Sequence, residues 1–544
     1  MRNWLNCLKC LMVMLLGLTS SVAARAEDNP LEKPILLVQL QSIEEILNRA
    51  EYIAGLAGKE EEGKQVLGLV RSMAGAKGLE GVDIKKPFLV YAGVSSDGQT
   101  MPFAVMLPIA DEASFQTMLS NRLGIEPKKD KEGILTFSIP NVPVEVHARF
   151  ANGYLYVSAP DKNNLSSKLL PKPEQILLKD SSLISVSVQP SNIPDMLKKL
   201  FLGQFETALA EAKKKKEPNE TPEMHKLKEQ AIDQVTASVK QFLNEAQAVR
   251  LKLDADSKTD DLSLAFEIEP LKDSALAKYA GSLKNKLSWS GAAVDSKSPI
   301  YFNMNFTLPD VLKEAVSLGM DKAMADALQK GPPEQRMEAE KIFKAVMPTL
   351  KSGIVDWAIG VQPTSDGKLT ASFAIKTING KEIEAALKEA AAKAPADVRS
   401  LVNLDAEKVG DVNLHELKVG SSLDANAKRV LGESSLWFAF KNDFLIASIG
   451  PDANKAVKAA LGAQAVEAVP MKLEVGVKAL VRTFEKETER KAAEKFAKEV
   501  FDQKPGSDKI SLNFEGGDKI RLKFSMKGTL IKFFVKMSTV GKVD

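Results

Sequence analysis

The sequence predicts an α+β fold, with antiparallel sheets covered by helices on one face and four strand-helix-helix-hairpin repeats in two tandem halves. Three observations predict it. Four short strands with one apolar face run straight into helix starts. A polar helical stretch follows each strand. Two alternating runs around a short polar turn then close each unit, and such self-similarity sets architecture before any motif is considered.

The chain opens with a secretory signal at residues 1–26. Arg2 and Lys9 give a positive start, Leu11–Leu18 an apolar stretch, and Ala24-Arg25-Ala26 an A-x-A cleavage site. The apolar stretch is shorter than the ~20 residues of a membrane span. No later run of that length is free of charges. The expectation is an extracytoplasmic chain, periplasmic or secreted, with no transmembrane segment after cleavage. Cys7 and Cys10 both lie in the signal, so the mature chain has no disulfide, thiol nucleophile or cysteine metal site. Removing Arg2, Lys9 and Arg25 from 74 basic residues leaves 71, equal to the 71 acids. A neutral chain has no global field for nucleic acid or an anionic membrane.

The first half is expected over residues 27–297, with repeats at about 35–165 and 183–290. Ile35–Leu40 leads into Ser42-Ile-Glu-Glu45, a capping box. Pro87–Gly93 and Met101–Pro108 flank Ser95-Ser96-Asp97-Gly98, a hairpin signal because Gly accepts φ > 0. A helix then starts at Asp111, and strands follow at Ile134–Ile139, Val144–Phe150 and Tyr154–Ala159. The plainer second repeat runs from Leu183–Gln189 into Asn192-Ile-Pro-Asp195. It continues through the charged stretch Pro222–Ala248, and Ala248–Asp254 and Leu262–Glu269 close it.

The second half is expected over 298–544, with repeats at about 300–460 and 471–544. Ile300–Phe306 runs into Thr307-Leu-Pro-Asp310, where a cap, a Pro lacking an N–H and an Asp at the positive helix end agree. Val355–Val361 and Leu369–Lys376 flank Thr364-Ser365-Asp366-Gly367. A helix follows at Asn379, then strands at Asn413–Val419, Leu436–Lys441 and Phe444–Ile449. The last repeat joins Leu473–Val477 to the segment from Lys478, and Lys509–Phe514 to Lys519–Met526 across Gly516-Gly517.

Pro87–Gly93, Met101–Ala110 and the helix at Phe115–Leu119 resemble large families of uncharacterised secreted repeat proteins from planctomycete-type bacteria. In those families too a strand pair ends in a Pro-x-x-Asp helix start. The resemblance implies export and repetition, and it brings no activity or site residue.

Chemistry is sparse. His147 and His415 are the candidate site residues, because Val144-Glu-Val-His147 and Val412-Asn-Leu-His415 fall on similar strands of the two longer repeats. Imidazole titrates near neutrality and ligates metals. The bland alternative is two polar residues on wet strand faces. No His-x-His or His-x-x-x-His pair supplies further ligands, so no metal or other cofactor is expected. His225 reads as a solvated helix residue. Asp254-Ala-Asp256-Ser-Lys-Thr-Asp260-Asp261 reads as a hairpin turn, since it lacks the glycine and terminal Glu of a calcium loop. Lys213–Lys216 reads as a helix end. Trp357 and Trp437 read as core.

No nucleophile elbow, zinc-protease motif or phosphate-binding loop occurs. The expected function is therefore a non-enzymatic binding or structural protein of the cell envelope, partnered by a protein or an apolar ligand. A carrier or sensor of lipid-like ligands and a carboxylate hydrolase are the alternatives. Nucleic acid is not an expected partner.

Overall fold

The computed structural model describes residues 31–539 apart from 32, 74–80, 96–97, 139–144, 168–169, 217–219, 285, 309 and 331–332. The expected signal, Ser96, Asp97, Val144 and Pro309 lie outside the described residues. The chain forms two compact units. One contains Met1–Ala208 with Val239–Leu276, the other Leu209–Ser238 with Ala277–Asp544.

The first unit holds β1 (Leu36–Leu40), β2 (Phe88–Ala92), β3 (Phe103–Pro108), β4 (Lys128–Lys129) and β5 (Leu135–Ser138). It also holds β6 (Glu145–Ala151), β7 (Tyr154–Ser158), β8 (Ile184–Val188), β9 (Ala246–Asp256) and β10 (Asp261–Pro270). They pair in the order β4-β5-β6-β7-β3-β2-β1-β8-β9-β10, each pair antiparallel.

The second unit holds β11 (Lys286–Ser288), β12 (Ile300–Thr307), β13 (Ile354–Pro363), β14 (Leu369–Lys376), β15 (Val402–Val409) and β16 (Val412–Leu417). Then come β17 (Leu436–Lys441), β18 (Phe444–Ile449), β19 (Val466–Ala468), β20 (Met471–Gly476), β21 (Lys509–Glu515) and β22 (Ile520–Lys527). Its order is β15-β16-β17-β18-β14-β13-β12-β20-β21-β22, again antiparallel throughout. Strands β11 and β19 make a separate pair. Position for position, this is the strand order of the first unit.

The helix starts mix expected and unexpected chemistry. Ser42 accepts from the Glu45 N–H at 3.3 Å, and Asp111 accepts from Ser114 at 2.6 Å. Asn192 does not cap: the helix begins at Asp195, and the Asn192 amide donates instead to Pro34 O at 2.9 Å. Asn379 stands at the N-cap with φ +61° and makes no side-chain cap bond.

Short elements pack on both faces of the sheets, not on one face as expected. In the first unit, Leu165 and Ile176 join Tyr91, Met106 and Tyr156 on one face, while Phe115 and Leu119 of the helix Glu112–Leu123 join Leu135, Ala148 and Leu155 on the other. In the second unit, the short helix Trp289–Ala293 lies against Ala358 and Ala374. Small residues matter there. A Cβ added to Gly360 would sit 2.3 Å from Val294 O, so only glycine lets that backbone come down onto the sheet.

Buried polar bonds hold the same helix. Asp356 is 5 % exposed; its carboxylate accepts from Ser288 Oγ at 2.7 Å and from the Trp289 N–H at 3.3 Å. Ser290 Oγ donates to Asp356 O at 2.9 Å. Burial raises the Asp356 carboxyl above its ordinary pKa, against the pull of these donors. Removing the acceptor leaves buried donors unsatisfied. Asp356→Ala should therefore destabilise the fold by about 1.5–3 kcal/mol, measured as a shift in the urea midpoint; a change within experimental error would refute this role.

Candidate functional site

The register of each sheet defines rows of side chains on a shared face. In the second unit one row runs His415, Phe438, Ala447, Phe373, Ile359, Phe302, Leu473, Leu512, Phe524. A flanking row adds Leu445, Ile375, Trp357, Met304, Met471, Phe514 and Leu522. His415 is the sole polar residue in the two rows.

Except for His415, none of these side chains is fully buried. Leu522 and Phe524 are 39 % and 40 % exposed. The opposite face behaves differently: Asn303, Ala358, Ala374, Ala439, Leu414 and Ile446 are at most 1 % exposed. On the central strands the large apolar side chains thus stay half-open while Asn303, Ala358 and Ala374 are sealed. Trp357, expected in the core, lies on the open face, whereas Trp437 packs against the sealed one.

The first unit also carries a half-open row on one face, although there the sealed face holds the larger side chains, Leu89, Tyr91, Met106 and Tyr156. Its row runs Leu135, Ala148, Val157, Val105, Val90, Val38, Val186, Leu251, Phe266. The helix Glu112–Leu123 covers the Leu135 end. Beyond it Val38, Val90 and Val186 are half-buried, and Leu251 and Phe266 are each 40 % exposed.

The two candidate histidines do not form a repeated pair. His147 lies on β6 and faces Tyr156 and Ala151, the side opposite the apolar row. His415 lies on β16 within the apolar row, and Leu135 holds the matching place in the first unit. Neither is on a wet face. His147 is 6 % exposed; its Nε2 donates to Pro160 O at 2.9 Å, which leaves Nδ1 to accept from the Thr136 hydroxyl at 3.0 Å. With both nitrogens satisfied, it fixes the chain at Pro160.

His415 is wholly buried, its ring 4.8 Å from that of Phe438. The Asp405 backbone N–H donates to Nδ1 at 3.0 Å, so the neutral ring carries its proton on Nε2. Nε2 lies 3.3 Å from Glu384 Oε1, off hydrogen-bond alignment. Lys388 Nζ is 2.7 Å from both Glu384 Oε1 and Asp405 Oδ1. Glu384, Asp405 and His415 place donor atoms within 4.8 Å of one another, the residue types of a metal site. Two features oppose that use. The lysine ammonium already bridges the carboxylates, and Nε2 has no free lone pair while Nδ1 accepts from the backbone. Sequence reasoning found His415 but missed Glu384, Lys388 and Asp405, which are distant in the chain and share no motif.

Other singled-out residues are structural. Asp256 accepts from the Lys258 N–H at 2.8 Å, Asp254 pairs with Arg49, and Tyr52 OH donates to Asp260 at 2.6 Å, so the acidic run is a braced hairpin turn. His225 is not free in solvent; its Nδ1 stands 3.3 Å from Glu220. Lys213 pairs with Asp233 at the end of the helix Asp195–Lys214. A cleft of about 910 Å3 in the first unit is lined in part by paired charges, Arg250 with Glu269 and Lys252 with Asp180 at 3.4 Å, together with Lys33, Glu174 and Lys179. Among the described residues, no helix is long and apolar enough to cross a membrane. No family model, curated protein or solved structure matches the chain.

Two outcomes follow from this geometry. Ile446→Ala on the sealed face should cost about 2–5 kcal/mol, and Leu473→Ala on the open face less than about 1.5 kcal/mol; equal losses in denaturant melts would mean the faces are packed alike. Burial lowers the His415 pKa, with Glu384 and Asp405 pulling the other way and Lys388 adding to the drop. A lowered folded pKa means the unfolded chain takes the proton first. Stability from neutral His415 is complete above the ordinary histidine pKa and declines as pH falls below it. The stability gap between the native chain and His415→Asn should therefore shrink from pH 7.5 to 5.5; a constant gap would contradict it.

Proposed function

We propose that this is an exported, non-enzymatic binding protein whose ligand is apolar and lipid-like, taken up along the half-open sheet face. The observation behind the reading is the continuous apolar row, from Phe438 to Phe524 in one unit and from Val105 to Phe266 in the other, whose large side chains are only half-buried. Leaving such area in water is unfavourable at about 25 cal/mol per Å2. A ligand that removes it from water gains that free energy. Because most of these side chains are partly shielded, a slender acyl chain suits the face better than a broad protein surface.

We also infer that the strand-helix-hairpin unit arose four times by duplication. What supports this is the central place of β1, β8, β12 and β20, each the strand that precedes a helical stretch, with β1 beside β8 and β12 beside β20. The envelope location rests on the N-terminal signal pattern.

The test is uptake of a fluorescent fatty acid by the mature chain, purified without detergent. Saturable binding is expected, together with co-purified lipid in native mass spectra. Phe373→Lys and Leu473→Lys should each weaken uptake at least about tenfold, because a lysine on the face adds a charge the chain must desolvate. Melting should change little. No saturable uptake by the native chain would sink the reading.

A further inference from the structure

The second unit also contains a basic cleft of about 530 Å3, lined by Arg429, Lys478, Arg482, Arg490 and Lys498. Glu494 and Asp502 lie on the same walls, and Asp502 is already paired with Lys478. In a chain whose charges otherwise balance, this is a local excess of cations.

The arginines come from three separate elements: the helix Ala425–Leu431, the turn Val481–Thr483 and the helix Glu487–Phe501. Each guanidinium is held by neutral oxygens. Arg429 donates to the carbonyls of Arg482 and Thr483 and to the Asn426 side chain. Arg482 donates to Gly367 O at 2.9 Å, and Arg490 to Phe484 O at 3.0 Å. Among the described residues, no carboxylate forms an ion pair with any of the three. These bonds orient the planar groups without cancelling their charge. An arginine has five N–H donors in a fixed fork, so donors remain for a ligand. A guanidinium already held in place loses little freedom on binding. Forked donors of this kind match the oxygens of phosphate or sulfate.

We propose that this cleft binds a tetrahedral oxyanion, a phosphate or sulfate group that is either free or borne on a larger molecule. The proposal is independent of the apolar face. Isothermal titration of the mature chain at low salt, with inorganic phosphate and with sulfate, tests it alongside co-sedimentation with phosphatidylglycerol and phosphatidylcholine vesicles. Saturable binding of either ion assigns a free oxyanion. Retention on phosphatidylglycerol vesicles alone assigns a lipid headgroup. Either result supports the site, provided Arg482→Gln and Arg490→Gln each weaken it about tenfold or more. Lys455→Gln, an exposed lysine paired with Asp452 at 2.9 Å, should leave it unchanged. Arg490→Lys keeps the charge and loses the fork, so it should weaken binding even if Arg490→Gln folds poorly. Absence of saturable binding in every arm overturns the proposal. So does an equal loss in Lys455→Gln, which would mark a diffuse field.

Discussion

Successive side chains of a strand point to opposite sides of its sheet, and everything in these two units depends on how the two sides are used. Each sheet is long; in the second unit the central strands carry large apolar residues on one side and small or polar residues on the other, whereas the first unit seals Leu89, Tyr91, Met106 and Tyr156. In the second unit the small side is the one that closes. Ala358, Ala374 and Ala439 leave room for the helices Trp289–Ala293 and Ala453–Leu461 to settle close to the strands. Asp356 and Ser288 then bond the first of these helices down. Close packing is thereby achieved with short side chains and hydrogen bonds, and the bulk of the apolar area is left for the other side.

The two units use one strand order for different local chemistry. At the far end of the apolar row the first unit places Leu135, sealed beneath Phe115 and Leu119. The second unit places His415 there, beneath a helix that brings Glu384 and Lys388 over it. One end is closed by hydrophobic contact, the other by a charged cap whose net balance depends on a single imidazole. The shared scaffold fixes where the row ends, and the local residues decide how.

Much of the architecture is legible in the sequence. The hairpins at Asp366-Gly367 and Gly516-Gly517, and the strand runs around them, can be read from alternation and turn residues alone. Strand β15 cannot, because Asp405 stands at φ +52° within a bulge that interrupts the period of two. Alternation also cannot say which side has a lid. Trp357 reads as core, yet the residues driven to full burial are its neighbours Asp356 and Ala358. Arg429, Arg482 and Arg490 form no motif, and only the fold brings them to one cleft.

The bulge in β15 has a further consequence. Among the described residues β15 pairs only with β16, so its outer backbone groups form a free edge of the second unit's sheet. Free edges recruit strands from other chains. The register shift between Asn403 and Glu407 breaks the run of evenly spaced donors and acceptors. The Asp405 N–H is turned inward to His415 and so is withdrawn from any incoming strand. The imidazole at the end of the apolar row thus takes one backbone donor away from that edge.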